Sequence, residues 1–207
     1  MTFRTATPPF LPSREEMEAD LLELNVEASS RVIDSLAEFS RLLVNRSRFA
    51  NLIGPDEKKR LWRRHILESA CFSKIIEQGR AVVDIGSGNG FPGIVLAILG
   101  SETCLLEPRR KRFLFLRFAV TRLGLAGCTV RQVRLEDLAP AAGPVQYTAR
   151  SVAPAEELLH MISTVSGAGS TLVCRQPCLA SGGRVTDSME LRCPPLDRGG
   201  FLVQYRV

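Results

Sequence analysis

The sequence predicts a doubly wound α/β fold, a mostly parallel seven-stranded sheet behind an N-terminal helical cap. Three observations carry this expectation. Apolar residues recur at helical spacing as far as about Gln78, and from Ala81 short β-branched runs alternate with helical stretches. The first of those runs leads directly into a cluster of glycines. Strand and helix alternating at this spacing indicate parallel strands joined by helical crossovers.

Residues 1–12, rich in Thr and Pro, read as a loose terminus, 13–78 as the cap and 79–207 as the α/β domain. Ser13 with Glu16 three positions on is a capping-box signature that opens the first helix. Val32, Leu36, Phe39 and Leu43 form one apolar face. Asn51-Leu-Ile-Gly-Pro-Asp56 breaks the pattern, and Glu57 to Ile76 reads as a further amphipathic helix. A cap of roughly seventy residues is near the smallest size that folds unaided, so it is expected to pack on the sheet. Ala81–Ile85 reads as a buried parallel strand. Pro92 suits the first turn of a helix running to Leu99 and ended by Gly100. Thr103–Glu107 is the second strand, and Arg109–Leu123 a helix stopped by Gly124. Cys128–Val133 and Val145–Thr148 are the next strands, followed by a helix over Pro154–Val165 and a strand over Thr171–Arg175. Ser188–Arg192 and Phe201–Arg206 read as a closing antiparallel pair.

The 27 Lys and Arg against 22 Asp and Glu leave a net charge of +5, a mild excess that permits a nucleic-acid partner without demanding one. No run approaches the ~18 apolar residues of a membrane span, and the N-terminus has no signal-peptide core, so the chain reads as cytoplasmic with no membrane partner. The six cysteines are scattered and read as reduced, small hydrophobes. Cys174 and Cys178 form the one close pair, without the spacing of a tetrahedral site, and no metal is expected.

In a doubly wound sheet, ligands sit beyond the carboxyl ends of the strands at the point where strand order reverses. That point here is Asp84-Ile-Gly86-Ser-Gly88-Asn-Gly90-Phe-Pro-Gly93. A dinucleotide fingerprint, Gly-x-Gly-x-x-Gly, would need a third glycine where Phe91 stands. Gly-x-Gly-x-Gly after an acid in the strand resembles the S-adenosylmethionine-dependent methyltransferase variant instead. Glu107 follows Gly86 by about 20 residues, the spacing at which an acid meets ribose hydroxyls in either cofactor class.

Asp84 to Gly93, with its Phe-Pro-Gly ending, resembles the first motif of the bacterial small-subunit (16S) ribosomal RNA guanine-N7 methyltransferases, the glucose-inhibited division protein B family. Three further segments are similar to that family's pattern: Asn51-Leu52 with Arg64-His-Ile-Leu-Glu-Ser69, Lys111-Arg112 with Phe113-Leu-Phe-Leu116, and Ala149-Arg150-Ser-Val-Ala153. The resemblance implies a methyltransferase sheet holding S-adenosylmethionine through Gly86, Gly88 and Phe91, with Glu107 on the ribose and Leu135 and Glu136 beside the adenine. It places Arg150 near the methionine end of the cofactor, as the aligning residue. Where the family carries Leu-Lys-Gly after its fifth strand this chain has Cys174-Arg175-Gln176-Pro177, in which Arg175 keeps a positive charge.

The implied partner is 16S ribosomal RNA or the small subunit, met by the chain as a monomer. Guanine N7 already carries a lone pair, so no general base is expected, and catalysis rests on proximity and alignment. Phosphate contacts are expected from Arg110, Lys111, Arg117 and Arg122 on the basic helix, and from Arg175. His65 and His160 read as structural histidines. Two alternatives stay open: the same fold acting on a small molecule or a protein, and a diverged, non-catalytic protein that docks on the ribosome.

Overall fold

The computed structural model of the chain describes residues 11–50, 52–179 and 182–207. The expected loose terminus therefore falls almost wholly outside the described residues, as does Asn51. Helix α1 (Arg14–Glu23) opens on the expected capping box, with Ser13 Oγ accepting from Glu16 N at 3.2 Å and Glu16 Oε2 accepting from Ser13 N at 2.7 Å. Asn25, at φ 52°, turns the chain into α2 (Ser30–Ala50), where Ile33, Leu36, Phe39 and Leu43 are buried.

The single helix expected over Glu57–Ile76 is instead four short pieces. These are α3 (Pro55–Lys59), a π-helical stretch (Leu61–Leu67), α4 (Glu68–Cys71) and a 3₁₀ turn (Phe72–Lys74). The cause lies in the apolar spacing. Leu61 and Trp62 are buried together with Ile66 and Leu67, five positions on, and that interval matches the wide π turn rather than the α turn.

The sheet comprises β1 (Val82–Ile85), β2 (Thr103–Leu106), β3 (Cys128–Arg131), β4 (Gln146–Ala149), β5 (Thr171–Gln176), β6 (Val185–Leu191) and β7 (Gly200–Arg206). Its order is β3-β2-β1-β4-β5-β7-β6, with β1 to β5 parallel and β7 antiparallel to both neighbours. The predicted fold class is borne out. Strand β6 begins three residues earlier than its expected start at Ser188, and an irregularity between Val185 and Asp187 disguises the alternation there.

Helices α5 (Gly93–Ile98), α6 (Arg110–Leu123) and α7 (Ala155–Val165) are the crossovers. Gly124 ends α6 in the left-handed conformation, φ 64°. Successive strand residues alternate between two hydrophobic clusters, as the pleat requires. One gathers Val82, Leu105 and Val173 with α5, α6 and the cap residues Phe39, Leu43, Ile66 and Phe72. The other gathers Ile85, Leu106, Leu172 and Cys174 with Leu158, Leu159 and Ile162 of α7. Among the described residues no helix is long and apolar enough to cross a membrane.

The order reverses between β1 and β4. Ile85 lies opposite Leu106 on one side and Ala149 on the other, so Gly86, Glu107 and Arg150 leave the sheet along one edge.

Candidate active site

The loop after β1 is fixed by its own backbone. Ser87 N donates to Leu106 O at 2.9 Å, and Ser87 Oγ donates to Asp84 O at 3.0 Å. Asp84 is fully buried and braces the far side of the loop. Its Oδ2 accepts from Gly93 N at 3.1 Å and its Oδ1 from Thr148 Oγ1 at 3.0 Å. Burial pushes this carboxyl up to about 6. The two glycines that matter most do different jobs. A Cβ at Gly93 would fall 2.6 Å from Asp84 Oδ2 and closer still to Leu105, so Gly93 is demanded by packing. Gly88 has φ +59°, and its would-be Cβ would make only ordinary contacts, with Gly86 O at 3.7 Å and Arg112 Nη1 at 3.9 Å, so the left-handed backbone and not crowding calls for glycine where the loop lines the cavity.

Glu107 is buried and tied to this loop. Its Oε2 accepts from Gly88 N at 3.0 Å and its Oε1 from Arg109 N at 2.8 Å. A carboxylate has about four lone-pair sites, so two stay available to hydroxyls. Leu135 is buried and Glu136 exposed on the 3₁₀ turn Leu135–Asp137 that follows β3. Neither these two residues nor Glu107 borders the cavity that the glycine loop helps to line.

That cavity, about 260 Å³, is lined by Gly86, Gly88 and Phe91 together with Leu52, Glu57, His65, Arg112 and Arg150. Phe91 forms one wall, its ring centroid 5.2 Å from that of His65 and 5.1 Å from Arg150 Cζ. His65 therefore belongs to the cavity wall, not to the core as its apolar neighbours imply. Arg150 Nη2 lies 2.7 Å from His65 Nδ1, and His65 Nε2 lies 2.7 Å from Glu57 Oε2. Arginine can only donate, so Nδ1 is the acceptor and Nε2–H donates to Glu57. Burial, reinforced by Arg150, pulls the imidazole down to about 4, which keeps it neutral.

Arg150 is held on its other side by the Arg64 carbonyl at 3.1 Å and by Glu68 at 3.2 Å. Glu68 also accepts from Arg175 Nε at 2.9 Å and Arg198 Nε at 3.3 Å. Desolvation of Glu68, 1% exposed, is outweighed by these three cations, which hold its carboxyl below the usual range. Arg175 also donates to Gly199 O at 2.7 Å and its side chain is only 11% exposed. The phosphate contact expected of Arg175 does not fit this placement, because its donors are already directed inward. By contrast Arg110, Lys111, Arg117 and Arg122 are all exposed on α6, and His160 is exposed on α7.

Sequence reasoning missed His65, Glu57, Glu68, Arg112 and Arg198 as parts of this site. Arg112 was within reach, since it stands in the Lys111-Arg112 pair on the helix that follows Glu107. Arg198 carries no local signal, because its position depends on β7 folding back beside β5.

Comparison with known proteins gives the chain a family and a fold relative. A family model described as rRNA small subunit methyltransferase G matches residues 32–177. Among curated relatives, the Ribosomal RNA small subunit methyltransferase G of Kineococcus radiotolerans is 39% identical over 158 residues, which cover 73% of this chain and 62% of that one. Its counterpart from Acidothermus cellulolyticus is 42% identical over 124 residues, 59% of this chain and 55% of the relative. The matched region thus spans somewhat more than half the length of these relatives. The crystal structure of a SAM dependent methyltransferase from Aquifex aeolicus shares the fold, with a TM-score of 0.55 and 16% identity over 78% of this chain and 97% of that one. With the matching model running from the cap through the end of β5, the chain belongs to the rRNA small subunit methyltransferase G family.

Proposed function

We propose that this chain transfers a methyl group from S-adenosylmethionine to N7 of a guanine in 16S ribosomal RNA, as a cytoplasmic monomer. The observation that carries the reading is the convergence of the glycine loop, Glu107 and Arg150 on one sheet edge, around bare backbone at Gly88. The residues fit the cofactor. Gly86, Gly88 and Phe91 would line its path, Glu107 has lone pairs for the ribose, and Leu135 with Glu136 would flank the adenine. When bound, the cofactor supplies an electrophilic methyl group on a sulfonium sulfur.

Arg150 would meet the cofactor's carboxylate in a charge-assisted pair, its orientation already set by Glu68, His65 and the Arg64 carbonyl. The acceptor N7 gives up no proton, so no side chain has to act as a base. A neutral His65 with both ring nitrogens engaged is consistent with that. Alignment of the acceptor can supply ~7–11 kcal/mol of the barrier. N7 of a paired guanine faces a deep, narrow groove, so the target is expected in a loop, a bulge or a flipped base. Arg110, Lys111, Arg117 and Arg122 would hold the phosphates around it. A calorimetric titration tests the cofactor half of this reading. S-adenosylmethionine or S-adenosylhomocysteine is expected to bind and NAD to give no heat, and the reverse pattern would overturn it.

A further inference from the structure

Helix α6 carries two large apolar side chains that the fold does not need on its surface. Leu114 is 51% and Phe118 36% exposed. They lie four residues apart, on the same face as Arg110 and Arg117, while Phe115, Leu116 and Ala119 are buried on the other face. From the neighbouring helix α2, Arg46 extends over Phe118, its Cζ 4.4 Å from the ring centroid. Arg117 sits 5.7 Å from the ring of Phe113 in the same manner. Among the described residues, Arg46, Arg110, Lys111 and Arg117 have no carboxylate partner, and the nearby Glu38 is taken up by Arg41 and Arg122. The surface therefore combines unneutralised cations with exposed aromatic and guanidinium planes. An apolar protein face would not call for the charges, and an anionic lipid surface would call for them beside apolar side chains free to insert, not beside a ring covered by a guanidinium. An acidic protein surface would not call for the stacked planes. Single-stranded RNA calls for both, since phosphates need cations and unstacked bases need planar surfaces to lie against.

We propose that Phe118 and Arg46 form a stacking platform for an unpaired base of the RNA substrate, with Arg110, Lys111 and Arg117 holding the flanking phosphates. This rests on the RNA-directed reading above and assigns it a surface. The platform lies on the helix whose first turns also supply Arg112 to the cavity wall, so one rigid element connects RNA docking to the methyl-transfer site.

The test uses the full chain and fluorescence anisotropy with a short unstructured RNA, and a duplex of the same composition, across a salt series. Phe118→Ala is expected to weaken single-strand binding by about 5- to 100-fold, the range that removal of one base–aromatic stack gives, with the salt slope unchanged. Phe118→Tyr should restore binding and Phe118→Leu should not, because leucine keeps the apolar cover but lacks a π face. Arg46→Ala should weaken binding and flatten the salt slope as well. Thermal melts of each variant separate loss of the platform from loss of the fold. Unchanged RNA affinity in folded Phe118→Ala and Arg46→Ala would overturn the platform. So would normal RNA affinity combined with lost binding to intact small subunits, which would assign the face to a protein. Methyl transfer by the unaltered chain is measured alongside. If it transfers to guanine N7 while the variants bind RNA normally, the platform fails and the proposed reaction stands. If it transfers nothing, the reaction fails whatever the variants do.

Discussion

Glu68 gathers Arg150, Arg175 and Arg198 around one buried carboxylate, so the loss of either sign has unequal effects. Removing Glu68 leaves three guanidiniums without their counter-charge, and breaking a buried pair from one side costs about 3–5 kcal/mol. Removing Arg150 leaves Glu68 with two partners. Urea unfolding is therefore expected to show a larger loss for Glu68→Gln than for Arg150→Ala, and equal losses would contradict the network. Arg150→Ala should also cut methyl transfer at least tenfold, with little recovery in Arg150→Lys, since lysine cannot reach Glu68, His65 and the Arg64 carbonyl together. His65 makes a separate prediction through pH. Its folded value near 4 lies below the ordinary 6.5 of an exposed imidazole, so the unfolded chain takes up a proton first as pH falls. Its contribution is complete above pH 6.5 and declines towards pH 4, by at most ~1.4 kcal/mol per pH unit. Asp84 acts in the opposite sense, because its raised value of about 6 makes acidification relieve the folded state. Comparing the unaltered chain with His65→Gln cancels the Asp84 contribution. The stability advantage of the histidine should shrink from pH 7 to pH 4.5, and a constant difference would show that the imidazole is not held neutral by burial.

The glycine loop separates packing from ligand access. Gly93→Ala forces a methyl group against Asp84 and Leu105, and such overpacking costs about 1–3 kcal/mol. Gly88→Ala meets only the strain of a left-handed backbone, about 1–2 kcal/mol, but places a methyl group where the loop lines the cavity. Both variants should lose cofactor affinity, and Gly93→Ala should show the larger drop in melting temperature. An unchanged cofactor affinity in Gly88→Ala would remove that glycine from the binding surface. At this scale much was legible in the sequence. Local chemistry announced the capping box at Ser13, the stop at Gly124 and the turn after Ile85, and the structure has all three. The stretch from Glu57 to Ile76 was not legible, because apolar residues five apart pass for an irregular α-helix until the π turn is seen. Arg175 was misplaced for a different reason. Its charge was visible, but Glu68, over a hundred positions earlier, takes it up only once the cap is folded against β5.

The cap and the sheet share one hydrophobic cluster, in which Phe39, Ile66 and Phe72 meet Ile94, Leu105 and Phe115. They are expected to unfold together. Trp62, the single tryptophan, lies buried in the cap and donates to Asp20 Oδ2 at 2.8 Å, so its fluorescence reports on the cap while circular dichroism reports on the whole chain. The two signals should give one midpoint, and a cap that melts first would show that the cluster does not couple them. The same coupling gives the site its parts, since Glu57, His65 and Glu68 come from the cap and Gly88, Glu107 and Arg150 from the sheet. The proposal that these parts transfer a methyl group to RNA is tested most directly on small ribosomal subunits from cells lacking this protein. The subunits and their extracted 16S RNA are incubated with the protein and labelled S-adenosylmethionine, and the nucleosides are then identified by mass. Label confined to 7-methylguanosine from the 16S RNA is the expected result. Label in another nucleoside, or none in RNA from a folded protein that binds the cofactor, would contradict it.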